Sequence, residues 1–289
     1  MTPPYAAFIP VPYSARLDGL AVTASRFIAV LASLSCLCLP ASAPAQDKPG
    51  PTPQITAIVP LVVPPGFNGA IKLRGFHLKG ATEVRTDATT KPSKLTVKDP
   101  KNSDAPSKME KDVVGDSEVT LELTLPDDFP AGALPLTVVA GDRSATPVAL
   151  VVLPKDQFAE EKEPNNGFRS AMKIELGRAV IGVINNERDV DVFEVTAKAG
   201  QRLRATVTAR TTASLLDPLL SVFDARGNPI ATRDDIDLKS ADAIIDFVPT
   251  ADGPIFIVLQ DALDFGSGWH AYRLDVAPTP DTTPATKTP

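Results

Sequence analysis

Val119-Thr120-Leu121-Glu122-Leu123-Thr124-Leu125 alternates apolar and polar residues without a break. Valine and leucine point one way and threonine and glutamate the other, the period of two of a half-buried antiparallel strand. Similar short runs surround it: Ile55 to Pro60, Ala70 to Arg74, Glu83 to Thr86, Lys94 to Lys98, Leu134 to Ala140 and Val148 to Leu153. Gly75, Gly80, Gly132 and Gly141 fall between runs, where turns belong. Nothing in this half has helical length, and several short strands in about a hundred residues predict a β-sandwich. Asp99 to Ser117 is polar and rich in lysine and aspartate, and reads as a long mobile loop.

The second half repeats the pattern without repeating the residues. Strands are predicted at Ala179 to Ile184, Val190 to Thr196, Gln201 to Ala209, Leu219 to Asp224, Ile244 to Val248, Ile255 to Gln260 and His270 to Val276. Asn185-Asn186, Ala199-Gly200, Arg226-Gly227-Asn228 and Ala251-Asp252-Gly253 supply turns. The expected fold is all-β, with two β-sandwich domains over 46–153 and 160–277 joined by a linker over 154–159. A Pro/Thr-rich tail, 278–289, reads as disordered.

Composition narrows the function. Of 289 residues, 43% are hydrophobic, enough for packed cores, and the net charge is -6. That acidic balance gives no electrostatic footprint for nucleic acid or an anionic membrane. Arg26 precedes an apolar run, Phe27 to Leu39, that is short for a bilayer span and fits an export signal. Small residues before Gln46 place the expected cleavage after Ala45, so that 1–45 is a leader and no membrane span remains. Both cysteines, Cys36 and Cys38, fall within it, and neither sits in a good lipoprotein context. The mature protein would then lack thiol chemistry, and its location is secreted, periplasmic or at the cell surface.

Glu161-Lys162-Glu163-Pro164-Asn165-Asn166 and Asp189-Val190-Asp191-Val192-Phe193 concentrate carboxylates and amides. They offer oxygen and no soft ligand, the donor set that a hard cation such as calcium selects. Asp234, Asp235 and Asp237 form a second acidic cluster, read as a solvated loop because no glycine marks a sharp calcium-loop turn.

Residues 160–276 resemble a bacterial pre-peptidase C-terminal domain. The resemblance rests, in order, on Glu163-Pro164-Asn165-Asn166, Gly182, Asp189 to Phe193, Ala199-Gly200-Gln201, Leu216-Asp217-Pro218-Leu219-Leu220, Asp224 to Gly227, Asp234-Asp235, Ala251-Asp252-Gly253 and Tyr272-Arg273-Leu274. It implies a jelly-roll-like sandwich, non-catalytic and often attached to secreted peptidases. The related collagen-binding domains of collagenases imply Ca2+ ligands at Glu161, Glu163, Asn165, Asn166, Asn186 and Asp189, with an amide at Asn186 where a carboxylate would bind harder. The alternative is that these residues only cap and turn the start of the domain. Residues 52–153 resemble, by Pro53 to Pro60, Ile71 to Leu78 and Gly80 to Val84, the IPT/TIG class of immunoglobulin-like domains, which implies a spacer or interaction module.

Catalytic motifs do not emerge. The two histidines, His77 and His270, lie in different halves, and no zinc motif, nucleophile elbow or phosphate-cradling loop is present. Trp269, with Phe265 nearby, is either an exposed aromatic anchor for a sugar or peptide or a cap folded over the sandwich end. The expectation is a non-catalytic adhesion or targeting module for an extracellular protein or polysaccharide, with calcium stiffening the joint between domains. The alternatives are a structural spacer and an accessory to a secreted peptidase.

Overall fold

The computed structural model describes residues 51–234 and 242–279. The expected leader, Asp235 and Asp237 of the acidic cluster, and residues 280–289 of the tail lie outside the described residues.

The alternating stretch forms strand β6 (Ser117–Thr124), whose odd-numbered residues are all buried. It lies between β3 (Asn68–Phe76) and β5 (Lys94–Asn102), and β1 (Gln54–Val59) pairs with β3 to complete one sheet. A second sheet runs β2 (Val62–Val63), β9 (Val148–Val152), β7 (Gly132–Ala140) and β4 (Ala81–Arg85), with β8 (Arg143–Ser144) hairpinned onto β7. Ile71, Leu73, Leu121 and Leu123 from the first sheet meet Leu134, Leu136, Leu150 and Val152 from the second in one buried core.

The second half is also a sandwich. One sheet orders β10 (Phe158–Glu160), β12 (Ala179–Val183), β19 (Ala271–Pro278), β14 (Leu203–Thr208) and β17 (Ala243–Phe247). The other orders β11 (Met172–Lys173), β13 (Val190–Ala197), β18 (Gly253–Asp261), β15 (Pro218–Phe223) and β16 (Pro229–Arg233). Phe193, Val195, Leu220, Ile257, Leu259, Tyr272 and Leu274 fill the space between them. The all-β, two-sandwich fold class is therefore the observed one.

Three details depart from the sequence reading. The segment expected as a linker is structured: a 3-10 turn over Lys155–Gln157 leads into β10, which pairs in parallel with β12. Phe158, within the expected linker, is buried in the core of the first sandwich and acts as an apolar anchor. The tail expected from residue 278 begins inside β19, since Pro278 lies opposite Leu203.

The third departure is the polar segment 99–117, which is packed rather than free. β5 continues to Asn102, and a short helix, α1 (Lys111–Val114), follows. Arg74, only 1% exposed, holds this segment down. Its Nε donates to Val114 O, Nη1 to Ser103 Oγ and Glu118 Oε1, and Nη2 to Asp104 O and Gly115 O. All five guanidinium donors are used, the condition under which a buried arginine is tolerated. Val114 then joins Ala57 and Leu215 in a small apolar cluster, with Ala105, Met109 and Trp269 packed on it.

That cluster lies in the seam between the sandwiches. Beside it, Ile58 N donates to Ala213 O at 2.8 Å. Glu187 accepts from Ser107 Oγ at 2.6 Å and pairs with Lys108. The outward residues Ile181 and Val183 of β12, with Ala179 and Ala271, pack against the core of the first sandwich. The two sandwiches accordingly form one compact unit.

Candidate metal centre

The site is built where the chain crosses from one sheet of the second sandwich to the other. Glu161 follows β10, and its N donates to Ile181 O, so it extends the parallel pairing by one residue. The chain then passes Glu163 and Asn165 and reaches β13, where Val192 N donates to Asn165 O at 3.0 Å. Phe168 clamps the far end of this crossing. Its ring stacks on Phe256 at 4.6 Å and tilts against Phe223 at 5.4 Å.

Carboxylate oxygens of Glu161, Glu163 and Asp191 lie within 4.8 Å of one another. Two oxygens on opposite sides of calcium are separated by about twice 2.3–2.6 Å, so the three can share one ion. Asp191 is wholly buried, at an inward position of β13 beside Phe193 and Val195. Its Oδ2 accepts from Tyr272 OH at 2.5 Å, while Oδ1 has no hydrogen-bond partner. Asn165, also wholly buried, donates Nδ2 to Glu161 Oε1 and N to Glu163 Oε2, and its Oδ1 is likewise without a partner. Two orphaned buried oxygens beside three carboxylates are costly in a protein interior and fit a hard cation.

Electrostatics points the same way. Burial, then the facing Glu161 carboxylate, pushes the Asp191 carboxyl up to about 9. Burial raises the Tyr272 hydroxyl well above its usual value, with the Asp191 and Glu161 charges adding to the effect. A proton on Asp191 relieves this crowding in the bare chain, and a dication would relieve it more completely.

The other expected ligands are placed as follows. Asn166 Nδ2 donates to Asp189 Oδ1, and Asp189 also accepts from Val190 N and, through Oδ2, from Asn185 N. This pair closes the turn before β13, next to the cluster. Asn186 is exposed in that turn, and its backbone O accepts from Asp189 N. Asp191 and Tyr272 were absent from the expected ligand set. The available signal was the alternation of Asp191, Phe193 and Val195, which puts a carboxylate on the core face, where unpaired charge is rare.

Gly182 of β12 makes room for this arrangement. A Cβ there would lie 2.3 Å from Tyr272 Oη and 2.5 Å from Glu161 Oε2. The Tyr272 ring is wholly buried and has nowhere to retreat. Gly182→Ala is expected to destabilise the chain by about 1–3 kcal/mol, which a melting curve on the variant checks.

Trp269 is half-buried in the seam cluster, and its strand starts only at Ala271. Its backbone is pinned from both sides: Trp269 O accepts from Leu215 N, and Trp269 N donates to Ser267 Oγ. Phe265 is half-buried in the preceding loop, its N donating to Asp261 Oδ1. Ser267 Oγ also lies 2.9 Å from His270 Nδ1. His270 is wholly buried, burial lowers its pKa, and Asp261 is occupied by the backbone N–H groups of Asp217, Leu263 and Phe265. The serine–histidine contact thus closes the turn that seats Trp269.

Among the described residues, no helix is long and apolar enough to cross a membrane. No family model matches the chain. A probable subtilase-type serine protease of Deinococcus radiodurans is 37% identical over 98 residues, covering 33% of this chain and 13% of the protease. The chain thus spans a small part of that relative. Among solved structures, the pre-peptidase C-terminal domain of a Bacillus anthracis collagenase is similar over 40% of this chain and 99% of that domain, at 15% identity and a TM-score of 0.29. A Bacteroides ovatus protein, SGBP-B of a mixed-linkage glucan utilization locus, solved with a heptasaccharide, is similar over 69% of this chain and 72% of its own, at 10% identity and a TM-score of 0.23. The second half of the chain, on the motifs of residues 160–276, is similar to a pre-peptidase C-terminal domain.

Proposed function

We propose that this is an exported, non-catalytic binding module for an extracellular protein or polysaccharide, with a calcium ion held at the start of its second sandwich. The observation that carries the metal is the convergence of Glu161, Glu163 and Asp191 beside the orphaned oxygens of Asp191 and Asn165. Glu161, Glu163 and Asp191 would supply carboxylate oxygens, and Asn165, which donates Nδ2 to Glu161 Oε1, would hold that carboxylate in place. Bound calcium would supply charge neutralisation and fix the crossing between sheets.

The site lies one strand away from the seam. Glu161 Oε2 accepts from Val183 N, and Val183 packs on the first sandwich. Ordering Glu161 therefore stiffens the face of β12 on which the two sandwiches meet, so the ion acts as a brace for a two-sandwich binding surface.

Calorimetric titration of calcium into the chelator-stripped protein tests this reading. Saturable binding is expected, weakened in Glu163→Ala by at least the roughly 10- to 100-fold that losing an outer-shell partner of a metal ligand costs. Glu163 is exposed, so the variant should fold normally. Absence of heat in the wild type, with an unchanged melting curve, would leave Glu163-Pro164-Asn165-Asn166 as a turn and favour a plain spacer.

A further inference from the structure

A cleft of about 240 Å³ opens on the seam, lined by Val59, Lys72, Lys101, Glu118 and Thr120 of the first sandwich and by Trp269 of the second. We propose that it binds one acidic sugar unit of a polysaccharide, the pyranose ring lying on the Trp269 indole and its carboxylate meeting Lys72. This names a ligand for the binding-module reading above and rests on it.

The wall chemistry carries the assignment. Lys72 and Thr120 are direct cross-strand neighbours, as are Glu118 and Lys101, so the polar groups form two adjacent rows on one sheet face. Nearby cations on this face are already neutralised: Lys94 and Lys98 pair with Glu122, and Lys101 with Asp99. Lys72 has no such carboxylate among the described residues. Glu118 is the one acidic lining residue, and its Oε1 is held by Arg74 and Ser103 Oγ. In a chain of net charge -6, this small basic spot selects an anion.

The shape selects a ring. The volume is just below the ~300 Å³ lower end of ordinary ligand pockets, which suits a single pyranose with the rest of the polymer outside. Trp269 is half-buried and fixed at its backbone on both sides, so its indole is a preorganised platform with little side-chain entropy left to lose. A flat apolar surface beside Thr120 and the free oxygen of Glu118 matches a sugar's C–H face and its hydroxyl edge. Both sandwiches contribute, so the cleft exists only in the intact chain.

Trp269 is the protein's single tryptophan, which makes its fluorescence a direct probe of the cleft. The experiment is titration of the full chain, in chelator, with a tetragalacturonide and with neutral maltotetraose. The acidic sugar is expected to give a saturable change and to bind about tenfold more tightly than the neutral one, the value of one charge-assisted contact. Lys72→Gln should erase that preference and leave the melting curve unchanged. No fluorescence change with either sugar would overturn the proposal. So would equal binding of both sugars that Lys72→Gln leaves alone, or equally tight binding of a tetraglutamate peptide, which would mean charge without sugar. The titration is repeated at saturating calcium, because the proposed ion would brace the seam that carries the cleft. A calcium titration that fails while the galacturonide binds would overturn the metal site alone, and calcium binding with no sugar response in either condition would overturn the cleft alone.

Discussion

Arg74→Met is expected to lower the thermal midpoint by roughly 10 °C. The side chain is buried, and its five donors serve three backbone carbonyls, Ser103 and Glu118. Methionine roughly keeps the volume and leaves those acceptors with nothing. Breaking a buried charge pair by removing one partner costs about 3–5 kcal/mol, and each kcal/mol moves the midpoint by about 2–4 °C in a chain of this size. The loss should also be visible at a distance. The segment that Arg74 holds down carries Met109 and Val114 onto the seam cluster with Trp269, so tryptophan emission should shift to the red below the melting transition. Arg85→Ala is the contrast: Arg85 pairs with Glu83 on the open surface, and its loss should leave the midpoint unmoved. Differential scanning calorimetry and emission spectra on the two variants check the pair of expectations.

The second large effect is a pH dependence that calcium at the proposed site would offset in part. Asp191 has its carboxyl raised to about 9 in the folded chain, from 3.8 when free. A raised acid favours the protonated folded state. Above pH ~4 the unfolded chain sheds this proton and the folded chain does not, so stability falls as pH rises, by about 1.4 kcal/mol per unit, until the folded group ionises. At the acid end the sign is opposite. Asp246 and Glu122 are held below their usual values by Arg204 and Lys94, so what they contribute is lost as pH falls through that range. The metal-free protein should therefore melt highest in mild acid and progressively lower toward pH 9. At the proposed site calcium would compete with the proton and would bind more tightly as pH rises. At a concentration 100 times its Kd it adds about 2.7 kcal/mol, so its stabilisation should be larger at pH 8 than at pH 5. Asp191→Asn keeps an acceptor for Tyr272 and removes the charge. It should flatten the metal-free decline and lose the calcium response. A midpoint that rises steadily with pH in chelator would rule out this account.

What was legible in the sequence was what local periodicity encodes. The alternation of β6, the inward series of β13 and the turns between them follow from side chains pointing to opposite faces. Edge strands of two or three residues, Val62–Val63, Met172–Lys173 and Phe158–Glu160, carry no period and are defined only by the strand they join. The same limit applies to Arg74. In Ile71-Lys72-Leu73-Arg74 it alternates with leucine and looks as solvated as Lys72, yet residues distant in sequence cover it and leave Lys72 open. Glu161 and Glu163 were recognisable because their segment is short and rich in oxygen donors. The contribution of Asp191 and Tyr272 depends on β13 and β19 facing each other across the core, a long-range fact. Trp269 shows the same divide, since the stretch around it admitted both a free anchor and a folded cap. Only the meeting of the two sandwiches places it in a seam.

That seam also governs the order in which the chain can acquire its structure. The core of the first sandwich includes Phe158, Ala179 and Ala271, and Ala271 opens the last strand of the second. The core of the first sandwich is therefore complete only when residues of the second are in place, so the two halves are coupled in folding. A cut near residue 158 would separate Ala179 and Ala271 from that core and leave part of it uncovered.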